Sequence, residues 1–313
     1  MIVRWLMLSK DKYMNFKLAQ EPVYSPRSVD RQCFENYFYK YFIKNKSKFP
    51  QDLEYISVFW RPYEYNRSRR LVPSHLQETI NNLDNNKRYF TVCSSPMGIS
   101  ASLPKDTIVF SAASSPTNPA NFEKRSLQSC WKNLEDEIKV IPIPLLKHPH
   151  EVAPKIKKDI VCSFVGAVDT HECRTSLQKE IEGDGKISFS ETMWLPQYSV
   201  SQYQKFLDIV SRSTFSLCPR GYGPTSYRLY ESFQLGCVPV YIYDTPFLPY
   251  QDEIDWNDIC LMLPINKIDD LLGIIKLQSP EDAKEYSKNI AAIYHKYFTK
   301  QAVCEYILRK LSS

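Results

Sequence analysis

One stretch limits the fold more than any other part of the chain: Thr214–Asp244, TFSLCPRGYGPTSYRLYESFQLGCVPVYIYD. An apolar strand pattern ends at Cys218, and a loop of Pro219, Arg220, Gly221, Tyr222, Gly223 and Pro224 follows. The spacing predicts a helix over Thr225–Leu235, stopped by Gly236, because glycine tolerates the left-handed backbone of a helix C-terminus. Cys237–Tyr243 is apolar on both faces, as a buried parallel strand must be. Strand, loop, helix and strand in this order make one unit of an open parallel sheet, and such sheets bind ligands outside the carboxyl ends of their strands.

The loop and the helix start have the makings of an anion site. The first amides of a helix lack intrahelical partners, and the helix dipole favours negative charge there. Gly221 and Gly223 are expected to let a ligand approach the backbone. Thr225, Ser226 and Tyr227 stand at the helix start, the first two with hydroxyls to donate. Arg228, about one turn in, can reach back to a diphosphate as a bidentate partner, and Arg220 supplies a further cation. Glu231 shares the face of Arg228 and is suited to accept two hydrogen bonds from a ribose diol. The same residues also fit a plain turn followed by a helix salt bridge.

The rest of the chain carries the same alternation. Strands are predicted at Asp159–Val165, ending at Gly166, and at Lys186–Ser190, with helices at Glu172–Ile181 and Ser201–Ser211. The tail, Pro280–Leu311, reads as one or two helices. In the N-terminal half, Cys33–Lys44 spaces aromatics for a helix, Pro73–Leu83 reads as a helix with Ser74 as its cap, and strands are predicted at Met1–Leu8, Tyr55–Trp60, Tyr89–Cys93 and Thr107–Ser111. Ile141–Pro154 holds four prolines, so it can be neither a long helix nor a central strand and is the expected linker. The expected domains are 1–145 and 146–313, the final helix returning to pack on the first. Both are α/β.

Composition excludes several classes. A chain of 313 residues has room for about two domains. The charge, 40 − 35 = +5, is spread out, and the short runs Arg67–Arg70 and Lys155–Lys158 read as solvated surface, so no nucleic-acid partner is expected. The nine cysteines are odd in number and form no CxxC or Cys/His cluster, which argues against a disulfide scaffold and a structural metal. No apolar stretch reaches the roughly 18 residues of a membrane span. A soluble cytoplasmic protein is the expectation.

At Ser213, Phe215, Leu217, Pro219, Gly221, then Arg228 and Glu231, then Gly236-Cys237-Val238-Pro239-Val240, the chain resembles the exostosin-type glycosyltransferases. Leu248-Pro249-Tyr250 and Ile254-Asp255-Trp256 stand where that family often has Leu-Pro-Phe and Ile-x-Trp. Ser163-Phe164-Val165-Gly166 with Arg174 looks like its upstream segment. The resemblance covers about Asp159–Trp256, and the N-terminal half matches only loosely.

It implies a GT-B fold, two Rossmann-like domains facing across a cleft: an acceptor-side domain, then a nucleotide-sugar-binding one. It further implies a nucleotide-sugar donor, most often a UDP-sugar, an oligosaccharide or glycan acceptor, and inversion at the anomeric carbon without an obligatory metal or other cofactor. No Asp-x-Asp triplet occurs. The donor-binding set carried over is Gly166, Arg174, Arg220, Gly221, Gly223, Thr225, Ser226, Tyr227, Arg228 and Glu231, with Arg228 also stabilising the leaving diphosphate. Arg174 fits a surface helix residue equally well. Glu64 is the first candidate for the base, ahead of His75 and Asp106, and Trp194 and Tyr198 are candidates to lie near the nucleotide base. Many relatives carry a membrane anchor and lumenal disulfides; this chain shows neither pattern, which favours a bacterial or viral enzyme acting in cytoplasm over one of the Golgi lumen. A non-catalytic nucleotide- or glycan-binding protein, or a nucleotide-sugar hydrolase or epimerase on the same fold, fits these residues too.

Overall fold

Two parallel sheets form, one from each half of the chain. The computed structural model describes residues 34–58, 60, 74–96, 98–117, 131, 135–147, 149–150, 156–182, 187–191 and 199–313. The strand expected at Met1–Leu8, the run Arg67–Arg70, the candidate base Glu64, and Trp194 and Tyr198 lie outside these residues, as does the side chain of His75.

The first sheet has the order β1-β2-β3-β4, with β1 Leu53–Tyr55, β2 Arg88–Cys93, β3 Thr107–Ser111 and β4 Ile138–Pro142. Helices α1 (Phe34–Asn45) and α2 (Ser74–Asn81) belong to this half. Its strands alternate between two apolar surfaces: Phe90 and Val92 face one core, Tyr89 and Cys93 another.

Two expectations need correction here. The strand expected at Tyr55–Trp60 is Leu53–Tyr55 instead. Beyond Ile56 the ladder gives way to a side chain: Thr91 Oγ1 donates to Ile56 O at 2.8 Å and accepts from Trp60 Nε1 at 3.0 Å. The linker also starts later than its prolines imply. Ile141 and Pro142 close β4, paired with Phe110 and Ser111, and proline is tolerated there because β4 is an edge strand.

The second sheet has the order β6-β5-β7-β8-β9. Its strands are β5 Ile160–Gly166, β6 Ile187–Glu191, β7 Ser213–Pro219, β8 Val238–Tyr243 and β9 Leu261–Pro264. The crossovers use α3 (Glu172–Ile181), α4 (Val200–Arg212) and α5 (Tyr227–Gln234), and α6 (Leu271–Leu277), α7 (Pro280–Tyr297) and α8 (Lys300–Ser312) complete the half. From β5 the chain runs to β6 on one side and then crosses to β7 on the other. Strand order therefore reverses between β5 and β7, the place where an open sheet leaves a crevice at its carboxyl edge.

One apolar cluster crosses both halves. Phe34, Phe38 and Phe42 of α1 join Val303, Cys304 and Ile307 of α8, and Tyr37 Oη donates to Gln301 Oε1 at 3.4 Å. Burying each such phenylalanine contributes about 1.5–3 kcal/mol, far more than the exposed Tyr37–Gln301 contact, so apolar packing sets how α8 lies on α1. All seven described cysteines are free and buried. Burial pushes the Cys218 thiol up to about 12. Among the described residues no helix is long and apolar enough to cross a membrane.

Candidate functional site

At the end of β7 the chain enters the glycine loop, and buried arginines hold it there. Arg220 N donates to Ile242 O at 3.0 Å, continuing the register with β8. Its buried guanidinium pairs with Asp244, just past β8, and donates from Nη2 to Tyr222 O at 3.4 Å. Arg174, reaching over from α3, donates to three main-chain carbonyls: Arg220 at 2.8 Å, Ala167 at 2.8 Å and Pro219 at 3.0 Å. These carbonyls lie at the ends of β5 and β7, on either side of the reversal in strand order. Arg174 is thus a brace for the loop. It is buried, not a surface residue, and its Nε, Nη1 and Nη2 each donate to the backbone.

The glycines answer to the protein itself. A Cβ on Gly221 would lie 3.1 Å from Arg174 Nη2, and one on Gly166 would lie 3.0 Å from Phe164 Cζ. A Cβ on Gly223 would lie 2.2 Å from Ala113 O, in the turn after β3 of the other sheet. The nearest neighbours of a Cβ at Gly221 and Gly223 are thus a side chain and the opposing half. That opposing surface has its own buried carboxylate, which the sequence did not single out: Glu35 accepts from Ser94 N at 2.9 Å and Ser94 Oγ at 2.8 Å. It fixes the turn after β2, whose Pro96 also abuts Gly223. Asp106 sits at the amino end of β3, away from the carboxyl edges that meet here.

The helix α5 begins at Tyr227, two residues later than expected, with Ser226 extended at φ −142°, ψ 154° as its N-cap. Ser226 is 8% exposed, yet its Oγ makes no capping bond and has no hydrogen-bond partner. The Thr225 hydroxyl is buried beside that of Tyr230. Arg228 donates from Nη2 to Val165 O and stacks on Phe206, 4.0 Å from the ring centroid, while its buried Nε has no hydrogen-bond partner. An unpaired buried donor on a charged group is costly, so this helix start holds binding capacity that the protein does not use internally. The far end closes as a Schellman turn: Gly236 at φ +66°, Gly236 N to Phe233 O at 3.3 Å, and Cys237 N to Ser232 O at 2.9 Å.

Glu231, 5% exposed, sits among Arg228, Lys147 and His150. Arg228 Nη1 lies 3.4 Å from Oε2, and Lys147 Nζ and His150 Nε2 each lie 3.3 Å from Oε1. Burial alone would raise its pKa, but Lys147, Arg228 and the hydrogen bond from His150 outweigh that and hold the carboxyl well below the usual range. A carboxylate only accepts, so His150 Nε2 donates to it, and Nδ1 lies 2.9 Å from Tyr203 Oη. Lys147 and His150 come from the linker, and neither was expected at the site. Lys147 is 40% exposed and also lies 4.6 Å from the Tyr227 ring centroid. Among the described residues no group of three or more His, Cys, Asp or Glu is placed to hold a metal ion.

The Exostosin GT47 domain matches residues 105–277, more than half of the chain. The probable glucuronoxylan glucuronosyltransferase IRX7 of Arabidopsis thaliana is 31% identical over 147 residues, covering 42% of this chain and 31% of that protein. The Exostosin-1 homolog of Caenorhabditis elegans is 30% identical over 103 residues, covering 33% of this chain and 27% of that protein. The matched region thus spans less than a third of either relative. A mutant of S. aureus TarM, solved with Fondaparinux, alpha-GlcNAc-glycerol and UDP, aligns at 8% identity with a TM-score of 0.42, over 77% of this chain and 58% of that one.

Proposed function

The chain belongs to the exostosin GT47 domain family, and from that premise we propose that it transfers a sugar, with inversion, from a nucleoside diphosphate to a hydroxyl of a glycan acceptor. One observation carries the reading: Ser226 Oγ and Arg228 Nε stand buried and unpartnered at the start of α5, at the carboxyl edge of a parallel sheet. A diphosphate there satisfies both and meets the free amides of the helix.

In this mechanism the acceptor oxygen attacks the anomeric carbon as the bond to the diphosphate oxygen breaks. A base takes the acceptor proton, and the leaving diphosphate gains negative charge that must be stabilised. Arg228 and the first amides of α5 supply that stabilisation. Lys147 is a second, half-exposed cation within reach of the same helix turn. Glu231, held ionised by its neighbours, accepts from the ribose diol. Arg174 holds the loop in place, and no metal is required. The base is assigned to Glu64.

The test is turnover of a panel of UDP-, GDP- and CDP-sugars, UDP-glucuronate first because the relatives are named as glucuronosyltransferases. Nucleotide release that depends on a glycan acceptor is the expected result. Release at the same rate without acceptor would make the chain a hydrolase, and binding without release would make it a binding protein. Glu64→Gln should keep donor affinity and lose turnover; unchanged turnover would remove Glu64 as the base.

A further inference from the structure

At the end of α5 remote from Ser226, the linker, the last turn of α5 and α7 enclose an open groove of about 440 Å³. Its lining combines two kinds of group. Phe233, Ile290 and Tyr294 give it an apolar and aromatic wall, while His150, Gln234 and His295 bring hydrogen-bonding groups. Gln234 Oε1 accepts from His150 N at 3.0 Å, and the Tyr294 hydroxyl lies beside the Gln234 side chain, so these polar groups are held in place. Among the described residues no Asp, Glu, Lys or Arg lines the groove. A phosphate or a carboxylate would find no fixed counter-charge among those residues, and their polar groups suit a ligand that both donates and accepts hydrogen bonds.

We propose that this groove is a second binding site, for a neutral sugar unit, separate from the diphosphate cluster. A sugar ring carries an apolar C–H face that lies well on an aromatic side chain, and hydroxyls around its edge that both donate and accept. The groove lies within the size range of small-ligand sites, roughly 300–1,000 Å³. Binding here needs no nucleotide, so it stands or falls independently of the reaction assigned above.

The experiment is saturation-transfer NMR on the full chain, without nucleotide, using methyl glycosides of neutral hexoses and pentoses and their linear trisaccharides. Ala291 is exposed and lines the groove, so Ala291→Trp fills it from a surface position, and Tyr294→Ala removes part of its aromatic wall. Transfer to the wild type that is lost in Ala291→Trp and reduced in Tyr294→Ala is expected, with the melting temperature of Ala291→Trp unchanged. Transfer from the monosaccharides identifies a free sugar as a sufficient ligand, and transfer from the trisaccharides alone identifies a unit of a longer chain; both uphold the proposal. No transfer from any sugar, or equal transfer in the wild type and both variants, overturns it.

Discussion

Replacing Arg228 with alanine separates a ligand-binding arginine from a structural one. In the free protein the guanidinium donates to Val165 O, lies 3.4 Å from Glu231 Oε2 and stacks on Phe206. A hydrogen bond to a charged group contributes about 1.5–3 kcal/mol, and a partly desolvated cation–π contact about 1–2 kcal/mol. Against these stands the buried, unpaired Nε, whose removal relieves about 1–3 kcal/mol of desolvation. Glu231 keeps Lys147 and His150. The net loss of stability in Arg228→Ala is therefore on the order of 1–2 kcal/mol. With UDP bound there is no such offset, because Nε then has its partner. UDP affinity should fall by about 1.5–3 kcal/mol, or roughly 10- to 150-fold. Calorimetric titration of UDP with thermal melting on Arg228→Ala and Arg228→Lys measures both quantities. The lysine variant keeps the charge but loses the planar fork, and its affinity should fall between the other two. A folded Arg228→Ala that binds UDP like the wild type, with only its melting temperature lowered, would show a plain salt bridge and refute the assignment.

Glu231→Gln should weaken UDP binding while leaving the pH profile of turnover at saturating donor unchanged; normal binding with slow turnover at every donor concentration would disprove the ribose role. It should also flatten the acid limb of stability. The folded pKa of Glu231 is depressed, so its contribution is present above the unfolded value of about 4.3 and is lost as pH falls below it; urea unfolding of both proteins between pH 7 and pH 3 reads this directly. Gly223→Ala drives a methyl against Ala113 O and should cost about 1–3 kcal/mol. Gly273→Ala, with nothing near its Cβ inside α6, should instead stabilise by about 0.5–1 kcal/mol; equal melting temperatures for the two variants would contradict the contact between the halves. Acceptor-dependent turnover should survive EDTA, and complete loss with rescue by Mn²⁺ would reveal a metal requirement.

The local pattern of residues determined a good deal. The helix Glu172–Ile181 was legible to the residue, and the order of strands and helices from β5 to β8 followed from periodicity and glycine placement. Gly236 announced its own Schellman turn, and Arg228 with Glu231 read as one helix face because their spacing is intrinsic to the helix. All of these depend on residues within a few positions of one another.

What the tertiary structure alone decided depends on contacts across long separations. Glu231 meets His150, 81 positions away, and Arg174 meets Arg220, 46 positions away. The four prolines marked a linker but carried no sign that Lys147 and His150 would fold onto α5. The glycine loop was open to two readings, a ligand site or a plain turn, and no local pattern showed that the carbonyl of Ala113 would lie against Gly223. Glu35 resembled any first-turn helix carboxylate until α1 packed beside Ser94. Backbone preference and periodicity are properties of short segments, whereas the partners of a buried charge are chosen by how whole elements pack against one another.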